Sequence, residues 1–129
     1  MNTFPSVDSW IKEAKALKDS GKIGMYLIHN GVVRQTPKAV VREGSEVKGE
    51  VKGMLFSYDA GRVEEIRLET EKMEGIYLAR VWLNEGTLKT GDDIMLVLIG
   101  GDIRPRVIDA LNYMVGRIKN ECVTETELF

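Results

Sequence analysis

Three cations in this 129-residue chain stand where chemistry on an anion could occur: Arg34, Arg104 and Lys119. Arg104 follows an apolar run ending in Ile99, a glycine pair, Gly100-Gly101, and then Asp102-Ile103. Pro105 starts a helix behind it. Arg104 therefore sits at a strand-to-helix turn, where backbone N–H groups are unpaired and an anion is welcome. A cation there works against the helix dipole, so an anion-binding role explains Arg104 better than helix stability does. Lys119 lies near the far end of the same helix. The dipole favours a cation at that end without any ligand; a positioned acid–base group is the alternative. Arg34 closes the run Gly31-Val32-Val33-Arg34 and reads equally as a site residue or an ordinary strand-end arginine. His29, within an apolar strand, reads as a packed and hydrogen-bonded histidine rather than a base. Cys122 has no base near it in sequence and reads as a structural thiol.

Composition narrows the classes of function. Eighteen Lys and Arg against 20 Asp and Glu give a formal charge of -2. That balance argues against a general nucleic-acid binder, though not against a local basic site. One cysteine rules out an intramolecular disulfide, and one Cys with one His argues against a tetrahedral zinc site built by this chain alone. No apolar run approaches the roughly 20 residues of a membrane helix. No basic region followed by a hydrophobic one opens the chain, so no secretory signal and a cytoplasmic location are expected.

The elements that must hold these residues follow from periodicity and punctuation. Ser6 to Ser20 reads as a helix capped by Ser6 or Asp8, with Val7, Ile11, Ala14 and Leu17 on one face and Gly21 as its stop. Lys22 to Arg34 reads as a strand. Asn30-Gly31 could be a hairpin turn, but a bulge or close backbone approach at Gly31 is the preferred reading. Residues 35–50 are polar and broken by Pro37, Gly44 and Gly49, and read as a mobile loop. Val51 to Tyr58 reads as a strand, and Asp59 caps a helix that buries Val63, Ile66, Thr70 and Met73. Gly75 ends that helix. Ile76 to Leu83 and Asp93 to Ile99 read as strands apolar enough to be central in a sheet. Gly86 and Gly91 between them serve turn geometry. The last helix starts near Pro105 and buries Val107, Leu111, Met114, Val115 and Ile118. Residues 120–129 read as a C-terminal tail. The order α-β-β-α-β-β-α gives an α+β fold in one domain over residues 1–129.

Taken together, Gly31-Val32-Val33-Arg34 after a strand, Gly86-x-Leu88-x-x-Gly91-Asp92 in a turn, and Arg104 and Lys119 bracketing the last helix form an ordered set. The set resembles the large, catalytic subunit of molybdopterin synthase (MoaE-like) from the first helix to about Lys119. The resemblance implies an α/β hammerhead-like domain with an additional antiparallel β-subdomain. It also implies a homodimer lying between two small ubiquitin-like sulfur-carrier subunits, each inserting a C-terminal Gly-Gly thiocarboxylate into a pocket. Sulfur then passes to cyclic pyranopterin monophosphate, with no cofactor on the large subunit itself. On this resemblance Lys119 is the catalytic residue, and Arg34 and Arg104 bind the anionic substrate groups.

The chain also departs from the family pattern. Ile103 stands where a histidine precedes the arginine, and Thr126 where a second lysine is expected. Leu83-Asn84 replaces a His-Arg pair, and Ser57-Tyr58-Asp59 replaces a Glu-His-Tyr-like signature. A hydroxyl at Thr126 cannot supply the charge of an ammonium. Two readings follow: a divergent enzyme with a rearranged pocket, in which Lys38, Lys48 or Lys52 fills the vacancy, or a non-catalytic dimeric module that binds an anion or a pterin.

Overall fold

A computed structural model describes residues 2–38 and 49–129. Most of the expected mobile loop, residues 39–48, lies outside them.

Helix α1 (Val7–Lys15) begins where Ser6 Oγ accepts from the backbone N–H of Ser9 at 3.2 Å. It ends five residues short of the expected Ser20. Trp10 and Ala14 are buried, but Leu17 remains 45% exposed, so the apolar face has nothing to pack on past Ala14. A 3₁₀ turn at Ser20–Lys22 leads into strand β1 (Met25–Val32). The pairing register shifts between Gly31 and Val32, which is the bulge expected there rather than a hairpin.

Strand β2 (Gly53–Tyr58) and helix α2 (Ala60–Glu71) follow. Asp59 caps α2, its Oδ1 accepting from the Arg62 N–H at 3.1 Å. Val63, Ile66 and Thr70 form the buried face as expected, and the Thr70 hydroxyl is satisfied by donating to the Ile66 carbonyl at 2.8 Å. Strands β3 (Ile76–Leu83), β4 (Gly86–Lys89) and β5 (Asp93–Gly101) lead to helix α3 (Arg104–Glu121). Strand β6 (Val123–Leu128) closes the described chain. Gly86 and Gly91 take φ of 94° and 90°, left-handed backbone in which a side chain would be strained.

The strands form two antiparallel sheets, ordered β1-β5-β3 and β4-β2-β6. Of the two strands expected to be central, only β5 is, and its residues from Met95 to Gly101 are buried. β3 is an edge, with burial that varies along its length. The second sheet is the additional β-subdomain. It needs β4 and β6, two strands absent from the sequence reading, and β6 occupies the stretch read as a tail. Helices α2 and α3 pack together against the main sheet, burying Ile66, Val97, Ile99, Val107, Met114 and Ile118 in one core. Ala110 is fully buried in place of the expected Leu111 and Val115, which are half-buried. α1 covers the other face of the sheet, where Trp10 and Ala14 meet Leu96 and Leu98. No helix among the described residues is long and apolar enough to cross a membrane.

Candidate functional site

One cleft of about 330 Å³ gathers side chains from β1, the segment after it, β2, β5, α3 and β6. Its apolar wall is Met54, Ile94 and Met95, and its polar groups are His29, Arg34, Lys38, Lys119 and Glu127. Local structure explains how each arrives. Ile118 is fully buried beneath α3, so the next residue turns off the core face, and Lys119 is exposed at the C-terminal turn where the dipole supports its charge. Arg34 lies just past β1, with Nε donating to the Thr36 carbonyl at 3.1 Å. Lys38 is held by β6: its backbone N–H donates to Glu127 Oε2 at 3.0 Å, and its Nζ lies 3.7 Å from Glu125 Oε2. Lys38 and Lys119 also line a second cavity beside the first, together with Asn120, Val123 and Glu125.

Among the described residues the cleft is therefore positive: three cations face Glu127, which already accepts a hydrogen bond, while Glu125 lies beside the Lys38 ammonium. Such a site suits a ligand carrying a phosphate or carboxylate on a flat apolar body. His29, read from the sequence as a packed, hydrogen-bonded ring, is half-buried and lines the cleft. Burial first, and then the charge of Lys119, lower its pKa from the ordinary histidine value and favour the neutral imidazole. Cys122 is buried, and burial followed by the Glu121 charge raises its thiol pKa, in keeping with a structural role.

The structure joins Arg34 to Lys119 but separates Arg104 from both within the chain. Arg104 and Lys119 lie at opposite ends of α3, about 22 Å apart at 1.5 Å of rise per residue. Arg104 is exposed at the helix start, beside an Ile103 that is 52% exposed. The Leu83-Asn84 pair lies outside the cleft. Leu83 is in the core, while the buried Asn84 accepts from the Asn2 and Glu85 N–H groups and donates to the Asp93 carbonyl.

Thr126 does not line the cleft. β6 alternates, with Val123, Glu125 and Glu127 half-buried and Thr124, Thr126 and Leu128 exposed on the other face. Thr126→Lys should therefore leave anion affinity unchanged, as titration with inorganic phosphate would show; a gain of about 1.5–3 kcal/mol would place the new ammonium in the cleft after all. Lys38 is one of the three lysines, with Lys48 and Lys52, that the sequence offered for the vacant cation, and it lines the cleft. It stands in a polar stretch, and only its contacts with β6 distinguish it from neighbouring lysines.

A model of the MoaE protein family matches residues 6–121. The chain belongs to that family. Among solved structures it is similar to molybdopterin synthase from Staphylococcus aureus, with a TM-score of 0.73 and 15% identity over 97% of this chain and 85% of that one. It is also similar to a molybdopterin biosynthesis MoaE protein from Burkholderia ambifaria, with a TM-score of 0.72 and 17% identity over 98% and 81% of the two chains. A third is a complex of subunits 1 and 2 of molybdopterin-converting factor from Helicobacter pylori, with a TM-score of 0.68 and 14% identity over 95% and 75%. At these identities the likeness is one of fold. No curated protein matches the chain at a significant level.

Proposed function

We propose that this MoaE-family chain transfers sulfur from a small ubiquitin-like carrier to cyclic pyranopterin monophosphate, using the cleft around Lys119. The convergence of Arg34, Lys38 and Lys119 on one partly apolar cleft carries this reading. The carrier tail is an acyl thiocarboxylate and the pterin bears a phosphate, so both reactants are anions that repel each other without fixed cations between them. The thiocarboxylate sulfur attacks a pterin side-chain carbon, and a carbon–sulfur bond forms as a carbon–oxygen bond at that carbon breaks, its electron pair leaving with the oxygen. The acyl group stays on that sulfur until water cleaves it, and the carrier leaves as a carboxylate. The Lys119 ammonium neutralises charge building on sulfur. The complex of two subunits from Helicobacter pylori supports a second subunit as partner, and the reading puts the protein in the cytoplasm without a cofactor of its own. Incubation with thiocarboxylated carrier and the cyclic pterin should give dithiolene product; neither product nor a carrier–pterin adduct would overturn the reading. The exposed hydrocarbon of Ile103, where the family pattern has an imidazole, favours a second reading, a module that binds the same anions without turnover. The same assay separates the two.

Arg104 enters this site only from a second copy of the chain. A homodimer with a two-fold axis would bring Arg104 of one protomer to Lys119 of the other, giving two composite sites. Arg104→Ala and Lys119→Ala should then each be inactive alone, and mixing them after dissociation should restore about a quarter of wild-type activity, since half the dimers are mixed and each has one intact site. No recovery on mixing, or a monomer at micromolar concentration, would return Arg104 to a local role at its helix start.

A further inference from the structure

Among the described residues lining the cleft, the His29 imidazole and the Glu127 carboxylate are the two groups that can accept a proton, and Glu127 Oε2 already accepts the Lys38 N–H. His29 projects from β1 on the same side as Gly31: a Cβ built on Gly31 would lie 3.9 Å from His29 Nε2, and both residues line the cleft. The opening beside the ring is thus kept clear of side chain on the strand itself. The charged groups around it are Lys119 from α3, Glu127 from β6, and Arg34 and Lys38 from the segment after β1. Across the sheet His29 pairs with Val97, which is fully buried and carries no charge. Burial of the ring, and then the charge of Lys119, disfavour its protonated form.

We propose that His29 is the general base that activates the water which frees the carrier once its sulfur has been bonded to the pterin. This rests on the sulfur-transfer reading. The acyl–sulfur linkage must be hydrolysed for turnover; the cations cannot accept a proton in their charged forms, and Glu127 Oε2 is engaged by the Lys38 N–H. In the step, the imidazole takes one proton from water as the water oxygen bonds to the acyl carbon. The carbon–sulfur bond breaks with its electron pair going to sulfur, beside Lys119. The carrier carboxyl group releases its remaining proton to solvent, and the imidazolium returns its own to solvent afterwards. Products are a carboxylate, a thiolate and two protons. The direction of the shift suits this role, because burial and the Lys119 charge favour the neutral, base form of the ring.

The test is single-turnover reaction of His29→Gln and His29→Asn with thiocarboxylated carrier and the cyclic pterin, followed by intact-mass detection of the covalent carrier–pterin adduct. Adduct should form at the wild-type rate and then accumulate, with hydrolysis slowed about 10²-fold. Hydrolysis by the wild type should fall as pH drops through the lowered His29 pKa, and this acid limb should vanish in both variants. Hydrolysis at the wild-type rate in folded variants would overturn the role while leaving sulfur transfer standing. Adduct formation and hydrolysis slowed alike would also overturn it, since that is the mark of a packing residue. A wild-type chain that forms neither adduct nor product overturns sulfur transfer and with it this role.

Discussion

Lys119→Ala is expected to lower dithiolene formation by about 10²-fold or more, the scale for losing a positioned acid–base or charge-stabilising group. The fold should be untouched. Lys119 is exposed, whereas its neighbour Ile118 anchors the last turn of α3 in the core. Thermal unfolding with an unchanged midpoint, alongside the lost rate, would establish that the effect is chemical. The substitution carries a second signature in His29. Lys119 is the smaller of two causes that depress the His29 pKa, so removing it should raise that pKa part of the way toward the ordinary histidine value. A shift on NMR titration would show that the two side chains share one electrostatic site. The sign follows from linkage: the folded-state pKa lies below the unfolded one, so stability from this group is present above the unfolded value and lost as pH falls through the folded one. Lys119→Ala should shrink that acid-side loss. An unchanged turnover rate would remove Lys119 from the mechanism and favour the binding-module reading.

Phe56→Ala should be the most damaging single change to the scaffold, costing about 3–5 kcal/mol. That is a large share of the 5–15 kcal/mol typical of a folded domain. Phe56 is 1% exposed at the centre of β2, paired with Gly86 on β4 and Glu125 on β6. It lies in the same buried core as Val63 and Ile66 of α2 and Ile118 of α3. Removing the ring leaves a cavity between the second sheet and the helices, and little of it can collapse because backbone surrounds it on both sides. Urea unfolding should show a lower midpoint with an unchanged slope. The site should suffer as well, since β2 supplies Met54 to the cleft and β6 supplies Glu127. A midpoint within experimental error of wild type would mean that the second sheet is not held to the helices through this ring.

How much of this was legible beforehand differs from element to element. The caps at Ser6 and Asp59, the proline-started last helix and the apolar run of β5 are local signals, carried by residues a few positions apart. Each was readable because the interaction behind it is short in sequence: a side chain bonding an N–H three residues on, or a face repeating every turn. The ordered glycines and cations that pointed to the MoaE family were likewise a matter of sequence order. Two strands were not legible. β4 has four residues, and β6, Val123–Leu128, places glutamates on its inward side, so neither shows the alternation of apolar and polar residues that marks a half-buried strand.

Sequence by itself determined the helices, the central strand, the family and two of the cleft cations, Arg34 and Lys119. Tertiary structure decided that these two line one cleft, that Lys38 and His29 line it with them, and that Arg104 is held a helix length away. It also decided that Thr126 faces away from the cleft. The physical reason lies in the register of β6 on β2. Pairing Thr126 with Leu55 and Glu125 with Phe56 puts alternate side chains on opposite faces, and a slip of one residue would exchange them. That register is set by contacts between segments far apart in the chain, which no local spacing encodes.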